Sequence, residues 1–247
     1  MAGHSKWANI KHRKGAQDAK RGKIFTKLIK EITVASKEGG PDPDANPRLR
    51  LAIQNAKGQN MPKDTIERAI NRGQGSDAAN YEELTYEGYA SNGVAVFVEC
   101  STDNINRTVS NIRAIFTKNG GSLGKNGSVE FMFERKGVFN FPIPENMDME
   151  ELELELIDGG ADEVEIEEGR LTVTCAMEEF GNLQNKLESL SIEAETAELQ
   201  RIPTTTVTLD NEAFQKVMKA IDLLEDDDDV QKVFHNLEVT DEQMALL

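Results

Sequence analysis

Nine of the first thirty residues are basic: Lys6, Lys11, Arg13, Lys14, Lys20, Arg21, Lys23, Lys27 and Lys30, against the single acid Asp18. A cationic run of this kind suits a phosphate backbone, because each Lys or Arg contact releases condensed counterions and that release supplies most non-specific affinity. On a helix turning about 100° per residue, Lys20, Lys23, Lys27 and Lys30 fall on one stripe, away from Ile24, Leu28 and Ile32. The spacing predicts a basic face separate from the apolar face. Trp7, beside Lys6 and just before the Lys11 to Lys14 cluster, suits either stacking on an unpaired base or anchoring the N-terminal arm.

Other chemistry-bearing residues point to less. Gly120 to Ser128 is glycine-rich, but Asn119 and Asn126 stand where a phosphate loop needs Gly and Ser or Thr, and the stretch follows a helix, so a helix cap and tight turn are expected. Glu225 to Asp229 is a run of five acids without calcium-loop spacing, expected as a solvated connection. Asp103 to Thr108 sits between a predicted strand and helix, where Asp and Asn commonly cap. His4 and His12 have no third metal ligand at a recognisable spacing, and no nucleophile stands beside a base. The residues therefore predict no catalysis, no metal and no cofactor.

Charge is distributed unevenly. The whole chain of 247 residues carries −16, which taken alone argues against nucleic acid. Met1 to Gly73, however, holds 16 basic and 7 acidic residues, a net +9, leaving 12 basic and 37 acidic residues, a net −25, in the remainder. Cys100 and Cys175 each lie in an apolar run and read as buried strand thiols, as expected in a reducing compartment. The N-terminus has no apolar core of a signal peptide, and no segment approaches a membrane span. A cytoplasmic monomer with no membrane association is the expectation.

The elements that must position these residues change character along the chain. Apolar periodicity predicts a helix over 16–38, stopped by Gly39-Gly40-Pro41, and Pro47 and Pro62 open two more. Residues 1–78 thus read as an all-helical domain. Beyond them, strands are predicted at 84–87, 94–100 and 128–133 with a helix at 106–118. Residues 135–203 then follow the order βαββαβ of a ferredoxin-like unit. Within it Leu152, Leu154 and Leu156 alternate with glutamates, a period that favours a strand, whereas Asp148 and Gly159-Gly160 bracket a helix. A helix at 211–224 and a strand at 230–237 complete the first block. The expected fold is α+β: a helical N-terminal domain, then two ferredoxin-like domains, 79–134 plus 204–247 interrupted by an inserted 135–203.

The opening Met-Ala-Gly-His-Ser-Lys-Trp-Ala-Asn-Ile and the stretch from Lys14 to Lys27 closely resemble the YebC family. So do Asp42 to Arg50, Asn60 to Lys63, Tyr86 to Tyr89, Asp103 to Thr108 and Leu224 to Asp226. The resemblance spans essentially the whole chain and implies the same three-domain fold. It also implies nucleic-acid binding through Lys6, Trp7, Lys11, Arg13, Lys14, Lys20, Arg21, Lys23 and Lys27. The family includes a mitochondrial translational activator, and its bacterial members are described both as DNA-binding transcriptional regulators and as ribosome-associated factors that ease synthesis through proline runs. With the motif standing at Met1, a bacterial-type cytoplasmic protein is implied. Because no helix-turn-helix spacing is visible and the −25 remainder is repelled by a long duplex, ribosomal RNA within the ribosome is the favoured partner and DNA the alternative. A small-ligand sensor would require a convergent polar pocket in the sheets.

Overall fold

The computed structural model describes residues 18–75, 80–145, 147–167 and 169–244, with the backbone alone at 18–21 and 241. In chain order the helical region comprises α1 (Asp18–Gly39), α2 (Pro47–Gly58) and α3 (Lys63–Gln74). The first sheet-forming block comprises β1 (Glu82–Tyr89), β2 (Ala95–Thr102), α4 (Ile105–Lys118) and β3 (Ser122–Leu123). Next come β4 (Phe133–Pro142), α5 (Met149–Asp158), β5 (Ala161–Glu167), β6 (Arg170–Ala176), α6 (Phe180–Ser189) and β7 (Thr196–Pro203). The tail adds α7 (Asn211–Glu225) and β8 (Val230–His235). The fold is α+β, a helical region followed by two four-stranded sheets with helices.

The described residues divide into two compact units. One takes residues up to Lys27, those between 79 and 134, and those from 202 onward; the other takes 28–78 and 135–201. In the first unit the strand order is β3-β1-β2-β8, with the β1–β2 hairpin at the centre. Because side chains alternate across a strand, Val96, Val98 and Cys100 of β2 face Ile112 and Phe116 of α4 and Phe214, Val217, Met218 and Ile221 of α7. Ala95 and Phe97 point the other way, against Val129, Phe133 and Phe234. Both faces of β2 are therefore buried.

One strand lies elsewhere than expected. The third strand of this sheet is the short Ser122–Leu123, and residues 130–132 of the expected 128–133 strand form a 3-10 turn. The reason is local: the backbone N–H groups of Gly127, Val129 and Glu130 donate to the Glu87 carboxylate at 2.6, 2.7 and 2.9 Å, so none of the three is left for a ladder.

In the second unit the order is β5-β6-β4-β7, the ferredoxin-like arrangement of the βαββαβ sequence. Asp148 caps α5, its side chain accepting from the N–H groups of Glu150 and Glu151, and Leu152 and Leu156 are fully buried at i, i+4 spacing. Helical geometry thus overrides the period-two pattern, and the odd member, Leu154, is left outside. Cys175 lies in this core, and burial, with the nearby Asp162 carboxylate, pushes its thiol up to about 11. Both cysteines are buried and no disulfide joins them.

Helices α2 and α3 belong to this unit and pack closely within it. The side chain of Asn55 pairs with the backbone of Ala197 in both directions at 2.9 Å, and Gln54 donates to the Ala194 carbonyl. Gly58 meets the residue just before β7 so tightly that an added Cβ would stand 1.8 Å from the Glu195 carbonyl oxygen. Gly58→Ala should lower stability by about 2 kcal/mol or more, since a backbone carbonyl cannot move aside as a side chain can. Gly22→Ala, which meets nothing within 4 Å in α1, should raise it by about 0.5–1 kcal/mol. Urea midpoints of the two variants moving together would refute this account of the α2–β7 contact.

Candidate nucleic-acid interface

Of the residues predicted to hold nucleic acid, Lys6, Trp7, Lys11, Arg13 and Lys14 lie outside the described residues, as do the side chains of Lys20 and Arg21. Three members of the helical stripe remain. The Nζ of Lys23 stands 2.6 Å from Asp226 Oδ1, and the Nζ of Lys27 donates to the Glu225 carbonyl at 2.8 Å. That carbonyl lies at the C-terminus of α7, where the helix dipole favours a cation. Lys30 is 9% exposed. Lys23 and Lys27 thus each have a protein partner, while the Lys23 side chain keeps 44% of its surface exposed.

Four members of the acidic run that receives Lys23 and Lys27 are exposed or half-buried, as expected of a solvated connection, and the fifth, Asp229, is not. Asp229 is buried and accepts a bidentate pair from Arg107, at 2.8 Å from Nη2 and 3.0 Å from Nε, plus the Thr108 hydroxyl at 2.9 Å. Its backbone carbonyl accepts from the N–H of Ser101 in β2. Asp227 accepts from Asn111. Arg107 also reaches Asp103 at 2.8 Å, while Asn104 caps α4 by accepting from the Arg107 N–H. Hydrogen bonds to Asp229 and then Asp103 raise the Arg107 pKa above its ordinary value. Burial foremost, with Cys100 and Asp229 adding, raises that of Tyr86. The capping role of Asn104 was readable from the sequence. The burial of Asp229 was not, because five consecutive acids look alike until Arg107, 122 positions away, selects one of them.

The glycine-rich loop likewise has an internal occupant. Asn119 ends α4, Gly120 follows at φ +78°, and the Glu87 carboxylate fills the cradle of N–H groups that an outside anion would need. Among the described residues no group of three or more His, Cys, Asp and Glu is placed to hold a metal ion, and no helix is long and apolar enough to cross a membrane. A cleft of about 480 Å³ between α2 and the α6–β7 connection has Arg50 and Lys57 on one wall and Glu188 and Glu193 on the other, a mixture that converges on no single charge.

Fold and charge together define an α+β protein with a basic N-terminal segment and acidic sheet domains. Residues 5–76 match the family model described as the TACO1/YebC protein N-terminal domain, and residues 81–237 the model for the TACO1/YebC second and third domain. The chain belongs to the TACO1/YebC family. It is 58% identical to a "Probable transcriptional regulatory protein" of Amoebophilus asiaticus, over 96% of this chain and 98% of the relative. A protein of the same description from Syntrophotalea carbinolica is 55% identical over 99% and 98%. The crystal structure of a conserved hypothetical protein from Aquifex aeolicus superposes with a TM-score of 0.80 at 46% identity, covering 91% of this chain and 93% of that one.

Replacing Glu87 by Gln turns one acceptor into a donor facing three backbone N–H groups. Stability should fall by about 2 kcal/mol or more, and limited proteolysis should open the 120–128 loop first. A variant as stable and as resistant as the parent would show that the carboxylate does not hold this loop.

Proposed function

We propose that this protein is a non-catalytic regulator of gene expression that binds nucleic acid through its basic N-terminal segment and works as a monomer on the ribosome, easing synthesis through difficult stretches. The observation that carries this reading is the charge division, +9 over residues 1–73 against −25 over the rest. A ribosome offers exposed RNA phosphate beside basic protein and can receive both poles, whereas a long duplex repels the acidic one. The description of the relatives as transcriptional regulators supports a second reading, control of transcription on duplex DNA. A sucrose gradient of lysate at low salt separates the two: comigration with ribosomes is expected, and selective recovery on promoter duplex with no ribosomal fraction would overturn the first.

The contacts of Lys23 and Lys27 with α7 sharpen the prediction for individual residues. Changing Lys6, Lys11, Arg13 and Lys14 to Gln should flatten the slope of log K against log salt by roughly 3 to 4, at about 0.7 to 0.9 per contact. The affinity loss should be similar across sequences, since phosphate contacts do not read bases. Changing Lys20, Lys23 and Lys27 should flatten it by less per residue, while Asp226→Asn, which frees Lys23, should strengthen binding by a few-fold, the scale of an exposed ion pair. If the first variant keeps the parent's affinity and salt slope on ribosomes and on DNA, the N-terminal segment is not the grip.

A further inference from the structure

The second unit carries an acidic surface that lies outside the basic N-terminal segment. From Met149 to Glu167 there are nine Asp and Glu and no Lys or Arg. Within that stretch three large apolar side chains stand open: Leu154 is 68% exposed, Ile157 54% and Ile166 56%. Glu155 and Asp158 both accept from Lys186 of α6, at 2.9 and 2.8 Å, which fixes the flank of α5 that faces α6. At about 100° per residue, Ile157 lies 100° or more round the helix from either acid, on the other flank. There α5 packs against β5, the outer strand of its sheet. Ile166 pairs with Leu171, a residue of the helix-side core, so it lies on the same side of the sheet as α5.

Acidic residues alone would be ordinary protection of a sheet edge against self-pairing. Exposed isoleucines on the edge strand and on the flank above it are the opposite of protection, because they supply the alternate apolar contacts that strand addition uses. The like charge on every copy opposes a second copy of this chain as the occupant.

We propose that β5 and the outward flank of α5 form a docking surface for an extended, Lys- and Arg-rich protein segment with apolar residues at alternate positions, which adds as a strand beside β5. Its apolar side chains would meet Ile157 and Ile166, and its cations, on the opposite face of the added strand, would face Glu163 and Glu165. None of these residues belongs to the basic N-terminal segment, so the surface stands or falls independently of the nucleic-acid reading.

The test uses the isotope-labelled full chain and a short synthetic peptide alternating lysine with valine. Amide shifts and slowed hydrogen exchange should centre on β5 and α5. The double variant Ile157→Lys, Ile166→Lys should weaken binding by roughly tenfold, the loss of two apolar anchors plus charge repulsion, with an unchanged melting temperature because both side chains are exposed. A peptide of equal charge with proline at alternate positions cannot pair with a strand and should lose the slowed exchange. Equal binding of the proline peptide, no response at β5, or peptide-independent association of the chain through β5 would each overturn the proposal.

Discussion

The first unit is assembled from pieces far apart in the chain, and the carboxylate of Asp229 is the point at which they meet. It lies just before β8, accepts from Arg107 and Thr108 at the start of α4, and through its own carbonyl holds the Ser101 N–H of β2. Removing one partner of a buried ion pair leaves an uncompensated charge, which costs far more than the intact pair contributes. The tail can therefore take up one register against the first block. With Asp229 fixed, α7 ends where Glu225 and Asp226 meet Lys27 and Lys23. Lys23 and Lys27 belong to the same unit as α7, so these contacts lie within it.

A second buried carboxylate, Glu87, shows the same principle applied to a loop. A chain with 44 acids has ample anions, and the glycine-rich turn is stabilised by one of its own in place of a ligand. Three backbone N–H groups converge on it, the arrangement by which proteins hold phosphate. Here the same geometry removes residues 128–132 from the sheet and places Val129 and Phe133 beneath Phe97, whose ring meets that of Phe133 edge-on at 6.4 Å.

Periodicity and punctuation made most of the architecture legible. Asn46-Pro47 opens α2 as the cap rules require, with the Asn46 side chain accepting from Leu49 N–H, and the order βαββαβ matches the elements of the second sheet. At Leu152, Leu154 and Leu156 two patterns conflicted, and the Asp148 cap with the Gly159-Gly160 stop was the better guide because end signals specify a helix that a short alternating run does not exclude. What the sequence hid were long-range electrostatic choices. Nothing near Asp229 distinguishes it from Asp228, nothing near Glu87 marks it for burial, and Lys30 shares a stripe with Lys23 yet lies buried. Each depends on a partner or a neighbouring helix that only the assembled chain brings close.

The same choices bear on how a strongly acidic protein can hold a polyanion. Lys23 and Lys27 spend part of their attraction on the end of α7, so phosphate reaches them only by displacing Asp226 and a helix-end carbonyl. An exposed pair of this kind is worth at most about 1 kcal/mol, enough to weaken casual contact with any nucleic acid but small beside several simultaneous phosphate contacts. On the proposed reading, a binder built this way would discriminate by the density of phosphate around it, releasing isolated strands and holding where many phosphates and basic protein surfaces lie close together.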